Sequence, residues 1–302
     1  MNILITGGRG LVGSVLTQNL LNKGHKVRHL SRSKKALANI EVFEWDIKKG
    51  AIEQAAFENL DAIIHLAGES VADKKWSPKQ KEIIVSSRTA SAKLLYNAVS
   101  KMERKPSVFI SASGVGYYGI DTKEELMTEN SEKGDGFLSD VVEEWEKGAD
   151  KFSSLGMRTV KLRIGLVLAK NGGALPKMVQ PVKNYVGSPL GKGKQEVSWI
   201  HIDDLARLMV YALEHAEVDG VYNAVSSNPV TNSEMTRSIA KTLDKPLFMP
   251  NVPEFVLKLL LGEMSAIVTG GNKVSNKKIK SIGFQFQHEN IDETLSQILH
   301  DN

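Results

Sequence analysis

The chain has 302 residues, 41% hydrophobic and 25% charged, a soluble globular balance with length for one large domain or two merged ones. It contains no cysteine, which excludes disulfides, thiolate metal sites and cysteine nucleophiles, and its seven histidines are scattered without metal-ligand spacing, so no metal is expected. The net charge of +4 arises from Lys and Arg alternating with Asp and Glu along most helices, which argues against nucleic acid, and no apolar run is long enough to span a bilayer.

Met1 leads directly into a strand, so the expectation is a cytoplasmic protein without a leader. Asn2 to Thr6 is a short apolar run that ends in Gly7-Gly8-Arg9-Gly10, and a helical pattern begins at once with Leu11-Val12-Gly13. This strand–glycine loop–helix order is that of a dinucleotide site. Gly7 permits the tight turn, Gly10 lets backbone approach a pyrophosphate, and Gly13 brings the helix close to the sheet. The pyrophosphate then meets free N–H groups at the positive helix end. The helix stripe closes at Gly24, and His25 to Leu30 is a second strand. An acidic residue about twenty positions beyond the glycines marks NAD enzymes. Here the segment reads Ser31-Arg32-Ser33-Lys34-Lys35, whose guanidinium and hydroxyls suit a 2′-phosphate, so the expected cofactor is NADP(H).

Glu41 to Glu44 is a third strand, followed by Asp46, which either accepts from an adenine amino group or caps a turn. Asp61 to His65 is a fourth, ending in Leu66-Ala67-Gly68, small enough to let a cofactor lie against the strand end. A helix from Pro78 to Lys101 carries Arg88, and Ser107 to Ser111 is a fifth strand. This repeating pattern predicts an α/β, Rossmann-type, doubly wound parallel sheet. Ser113, Tyr117 and Tyr118 follow at a strand's carboxyl end, where hydroxyls can bond a substrate carbonyl or hydroxyl. Asp135 to Leu155 reads as helix and Met157 to Leu162 as a sixth strand running into Arg163. Dense Gly and Pro from Gly172 to Gly193 suggest a substrate-side loop with short helices. Trp199-Ile200-His201 turns into a helix capped by Asp203 and Asp204. Gly220 to Ala224 is a strand, Thr231 to Leu243 a helix, and the tail holds helices near 254–261 and 291–299. Lys273, Lys277, Lys278 and Lys280 read as a solvated helix face. Residues 1–165 form the cofactor domain, joined by segments near 196–224, and 166–302 a smaller substrate-side region.

Together Thr6-Gly7-x-x-Gly10-x-x-Gly13, His65-Leu66-Ala67-Gly68, the Ser113 run and Trp199 to Leu205 resemble the extended short-chain dehydrogenase/reductases. Gly116-Tyr117-Tyr118, Phe137-Leu138-Ser139-Asp140, Trp145-Glu146 and Gly172-Gly173-Ala174-Leu175 narrow the resemblance to the atypical "epimerase family proteins", labelled nucleoside-diphosphate-sugar epimerase-like. The resemblance implies an NADP(H) site lined by Leu11, Val12, Ser31, Arg32, Leu66, Ala67 and Arg88, with Glu82 beside them, and a branch-specific extension from about Pro246. It also implies a small-molecule substrate and a homodimer as the common assembly. One departure is plain. The Tyr-x-x-x-Lys pair is missing: the helix holds no tyrosine, and the lysine position falls on Val141 or Val142. Two expectations follow. One is a reductase or epimerase whose proton donor is Tyr117 or Tyr118 beside Ser113, with Arg163 or His201 holding substrate. The other is a non-catalytic NADPH-binding sensor.

Overall fold

The computed structural model describes residues 1–37 and 39–300. The elements in chain order are β1 (Asn2–Thr6), α1 (Leu11–Asn22), β2 (Lys26–Ser31), β3 (Glu41–Asp46), β4 (Ala51–Ile52), β5 (Ala62–His65), α2 (Pro78–Ser100) and β6 (Val108–Gly114). They continue with β7 (Leu126–Met127), α3 (Phe137–Asp150), β8 (Arg158–Ile164), β9 (Leu166–Leu168), α4 (Leu175–Lys183), β10 (Glu196–Val197), β11 (Trp199–His201) and α5 (Ile202–Glu214). The remainder is β12 (Gly220–Ala224), β13 (Val230–Thr231), α6 (Asn232–Thr242), α7 (Glu254–Leu261), α8 (Ala266–Thr269), β14 (Lys273–Val274), α9 (Lys277–Ser281) and α10 (Ile291–His300).

Eight strands form one sheet in the order β12-β8-β6-β5-β1-β2-β3-β4, with every neighbouring pair parallel except β3 and β4. It is a Rossmann-type doubly wound α/β fold. The strands are buried on both faces, which explains their near-continuous apolar sequence. Alternation then divides each strand between two cores. Ile3, Ile5, Ile64 and Ile110 pack under α1 and α5, whereas Leu4, Ile63 and Phe109 pack under α2 and α3 with Leu95, Val99 and Phe152. A third core around Trp199 joins α4, α6 and α10 on the substrate side.

The chain runs outward from β1 to β3 on one side and returns to β5 on the other. This reversal opens a crevice at the carboxyl ends of β1 and β5, the place where open α/β sheets hold ligands. Several boundaries differ from the sequence expectation. The fifth expected strand continues to Gly114, so Ser113 lies within β6 and pairs with Arg163. β8 stops at Ile164 because Gly165 switches the chain to a second ladder; a Cβ there would sit 2.4 Å from the Ser198 carbonyl oxygen. The expected helix to Leu155 ends as α-helix at Asp150 and finishes as a 3₁₀ turn. The tail lysines are anchored rather than merely solvated: Lys278 bonds the Val221 carbonyl, and Lys280 bonds Ser227 and Glu289. Among the described residues, no helix is long and apolar enough to cross a membrane.

Candidate functional site

The glycine loop fills the crevice tightly. Gly7 has φ 71° and abuts Leu66 and Ala67, where a Cβ would come within 3.0 Å of their backbone. A Cβ on Gly13 would lie 2.3 Å from the Gly7 carbonyl oxygen, and one on Gly8 would enter the His29 ring at 2.4 Å. Gly10 is the N-cap of α1 and offers no side chain; the first turn carries no acidic residue. The N–H groups of Leu11, Val12 and Gly13 therefore point at the crevice without a protein acceptor among the described residues. Thr6 closes the floor: its hydroxyl bonds the His65 Nδ1 at 2.7 Å and accepts the Ala67 N–H. Burial lowers the pKa of His65 to about 3, so it is neutral, and Ser91 holds its other nitrogen.

Arg88 lies beside this floor. Its guanidinium donates through Nη1 to the Glu69 and Ile84 carbonyls, stacks over Trp145 at 4.7 Å and would touch a Cβ on Gly68. Its Nε is buried without a partner, as is the Trp145 Nε1. Burial pulls its pKa down to about 10, the mark of a desolvated cation short of a counter-charge. An anionic or acceptor-rich group against Gly68 fits this demand. At the end of β2, Ser31 is half-buried and Arg32 exposed, and Arg9 of the glycine loop donates to the Lys35 carbonyl. Asp46 Oδ1 accepts from the Lys48 and Lys49 N–H groups and thus caps a turn. Glu82 lies on the exposed face of α2.

The carboxyl end of β6 carries a buried polar network. Ser113 donates to Glu146 Oε1 at 2.6 Å, and Arg163 grips the same carboxylate with Nε and Nη2 at 2.8 and 2.9 Å. Arg163 Nη1 bonds the Tyr118 hydroxyl at 3.1 Å, and that hydroxyl donates to Asn223 Oδ1 at 2.7 Å. Burial raises the Tyr118 pKa. Burial opposes the charge on Arg163, but the ion pair with Glu146 outweighs it and lifts the guanidinium above its ordinary range. The guanidinium also stacks on Tyr117, 3.3 Å from the ring centroid. Tyr117 is half-buried, and its hydroxyl has no partner among the described residues. The two tyrosines thus differ in accessibility: Tyr118 is committed internally, and Tyr117 is open. Arg163, expected to hold substrate, is 3% exposed with its donors engaged inside the protein. His201, the other such expectation, caps α5 by accepting the Asp203 N–H and stacks on His288. The lysine position of the missing pair is apolar in fact, since Val141 and Val142 are both buried.

A family model described as "NAD dependent epimerase/dehydratase family" matches residues 3–140 and 141–224, a span that holds the glycine loop, Arg88, Ser113, Glu146 and Arg163. The chain belongs to the NAD dependent epimerase/dehydratase family. A second model, "Domain of unknown function (DUF1731)", matches residues 252–298. Among relatives, the epimerase family protein YfhF of Bacillus subtilis is 35% identical over 100% of this chain and 99% of its own. The chloroplastic epimerase family protein SDR39U1 homolog of Arabidopsis thaliana is 36% identical over 99% of this chain and 87% of its own. Among solved structures, human epimerase family protein SDR39U1 with NADPH superposes with a TM-score of 0.88 at 30% identity, covering 100% of both chains. UDP-glucose 4-epimerase of Thermus thermophilus with NAD has a TM-score of 0.76 at 17% identity over 99% of both chains, a likeness of fold.

In this epimerase/dehydratase chain, the sequence alone assigned no role to Gly8, Arg9, Asn223 or, above all, Glu146, which entered only within the Trp145-Glu146 mark. A legible signal existed for the last. Glu146 follows Trp145 on the same helix stripe as Val142 and Ala149, so a carboxylate there faces the core.

Proposed function

We infer that the protein binds NADP(H) and moves a hydride to or from a small carbonyl or nucleotide-sugar-type substrate, with Tyr117 as the proton donor. The observation that carries this reading is the Arg163 guanidinium stacked 3.3 Å from the Tyr117 ring centroid, with Glu146 holding it there. The cation on its face fixes the ring, and the Tyr117 hydroxyl is left without a protein partner among the described residues, open to a substrate oxygen. A bound nicotinamide supplies the hydride chemistry; the chain supplies position and protons. Ser113 gives its own proton to Glu146, so its oxygen is left to accept from a substrate hydroxyl. The free N–H groups of α1 and Arg88, whose Nε has no partner, are the fit for a pyrophosphate-bearing cofactor, and Arg32 with Arg9 and Lys35 for a 2′-phosphate. The NADPH in the human relative supports the same choice.

The test begins with thermal unfolding of wild type and Arg32→Ala against NADPH, NADP, NADH and NAD. A shift specific to the phosphorylated pair, weakened by Arg32→Ala, is expected. NADPH oxidation is then followed across carbonyl compounds and nucleotide sugars. Tyr117→Phe should cut kcat about a hundredfold or more while leaving NADPH affinity intact.

A second reading, the nucleotide sensor, has its own observation. The tail reaches the serine–tyrosine loop, where Asn272 Nδ2 donates to the Val115 and Gly119 carbonyls. NADPH binding with no substrate oxidised, but with altered hydrogen exchange in residues 270–276, would favour it.

A further inference from the structure

We propose that His201, Asp203 and His288 form a site for one divalent metal ion of borderline hardness, zinc being the type. One ligand atom from each lies within 4.8 Å of the other two. The site stands apart from the hydride-transfer reading and survives its failure.

Each ligand is delivered by a different device. His201 ends β11 and is 6% exposed. Asp203 lies two residues later in the first turn of α5, its carboxylate 3.7 Å from the His201 Nδ1. His288 comes from the tail, and its imidazole is 3.9 Å from that of His201, tilted by 33°. Neither nitrogen of the His288 ring has a hydrogen bond among the described residues. The two imidazoles meet at a half-buried seam, and the His288 ring, with no protein partner among the described residues, keeps its lone pair available to a cation.

The placement is built rather than incidental. Asp204 is fully buried, and its carboxylate accepts the N–H groups of Gln287 and His288 at 2.9–3.1 Å. Arg207 pins the same carboxylate at 2.6 Å and balances its charge. The residue next to one ligand thus fixes the backbone that carries another. Two imidazoles and a carboxylate leave a fourth position for water, a donor set suited to zinc-like ions and also to ferrous iron. An ion at the His201 Nδ1 displaces the Asp203 N–H, which lies in an exposed turn and passes to water.

The experiment uses the full chain without an affinity tag, titrated with Co²⁺ as a spectroscopic stand-in for zinc and with Zn²⁺ in competition. One equivalent of Co²⁺ should give the intense visible bands of a four-coordinate site, and Zn²⁺ should abolish them. A parallel anaerobic Fe²⁺ titration ranks the two ions. His288→Ala, at a half-exposed position, should melt like wild type without metal, yet lose more than the roughly 10–100-fold affinity that an outer-shell change costs. Asp203→Asn should weaken binding in the same direction. Absence of saturable Co²⁺ binding overturns the proposal, and so does stoichiometric binding that His288→Ala leaves untouched.

Discussion

Glu146 supports three groups at once. Its carboxylate accepts from Ser113 and pairs with both donor edges of Arg163, which in turn holds Tyr118 and covers Tyr117. Both members of the pair are almost fully buried, 4% and 7% exposed, so removing one leaves an uncompensated charge in the interior. Glu146→Ala is therefore expected to cost about 3–5 kcal/mol in urea unfolding, whereas Glu146→Leu combined with Arg163→Met should recover most of that loss. A double variant as unstable as the single would refute this account. The buried histidines act at the same scale. An unfolded histidine titrates near 6.5, but burial holds His65 at about 3 and, with help from Arg9, His29 at about 4. The unfolded chain accordingly binds more protons as pH falls below 6.5. The stabilising contribution is full above that value and drains away toward pH 3, with about 2 kcal/mol from His65 gone by pH 5 and His29 adding in the same direction. A urea midpoint that stays level from pH 7.5 to 5 would contradict it.

Helix starts differ in how their free N–H groups are met. α2 is capped by Ser77, α5 by His201, and α6 by a full capping box in which Thr231 and Glu234 exchange bonds. α1 has no side-chain cap and no first-turn acid, a bareness that α4 shares, and it is the one of the two that starts at the glycine loop, as an end shaped for an external anion requires. Thr231→Ala should cost about 1 kcal/mol, read as a lower melting temperature, and leave NADPH affinity unchanged. A fall in that affinity would mean the substrate-side region is coupled to the crevice. The sequence made the long elements legible because burial on both sheet faces produces unbroken apolar runs, as in Ile3-Leu4-Ile5 and Ile63-Ile64. The two-residue ladders β7–β14 and β10–β13 were not legible, since nothing periodic fits in two residues and their partners lie far along the chain. The break at Gly165 is of the same kind: its cause is the Ser198 carbonyl, which no local pattern contains.

At the scale of the molecule, the crevice could be read from one end of the chain because Gly7 to Gly13 is contiguous and its chemistry local. The network at β6 could not, because it joins Ser113, Glu146, Arg163 and Asn223 from four elements; Ser113, the tyrosines and Arg163 announced themselves by type, but the ion pair that ties them did not. The His201–His288 pair is invisible for the same reason. Long-range packing also explains why the tail belongs to the whole. Ile279 is fully buried and Phe284 3% exposed within the core that covers α5, and Asn223 Nδ2 donates to the Ser275 carbonyl.

That packing sets an order of events during synthesis. The ribosome delivers β1 and α5 well before Ile279 and Phe284, so the side of α5 that they cover waits, uncovered and apolar, until the tail has been made. A nascent chain of this kind is a natural client for chaperones, and a product that stops short of Ile279 presents the cell with an exposed apolar face in place of a finished protein.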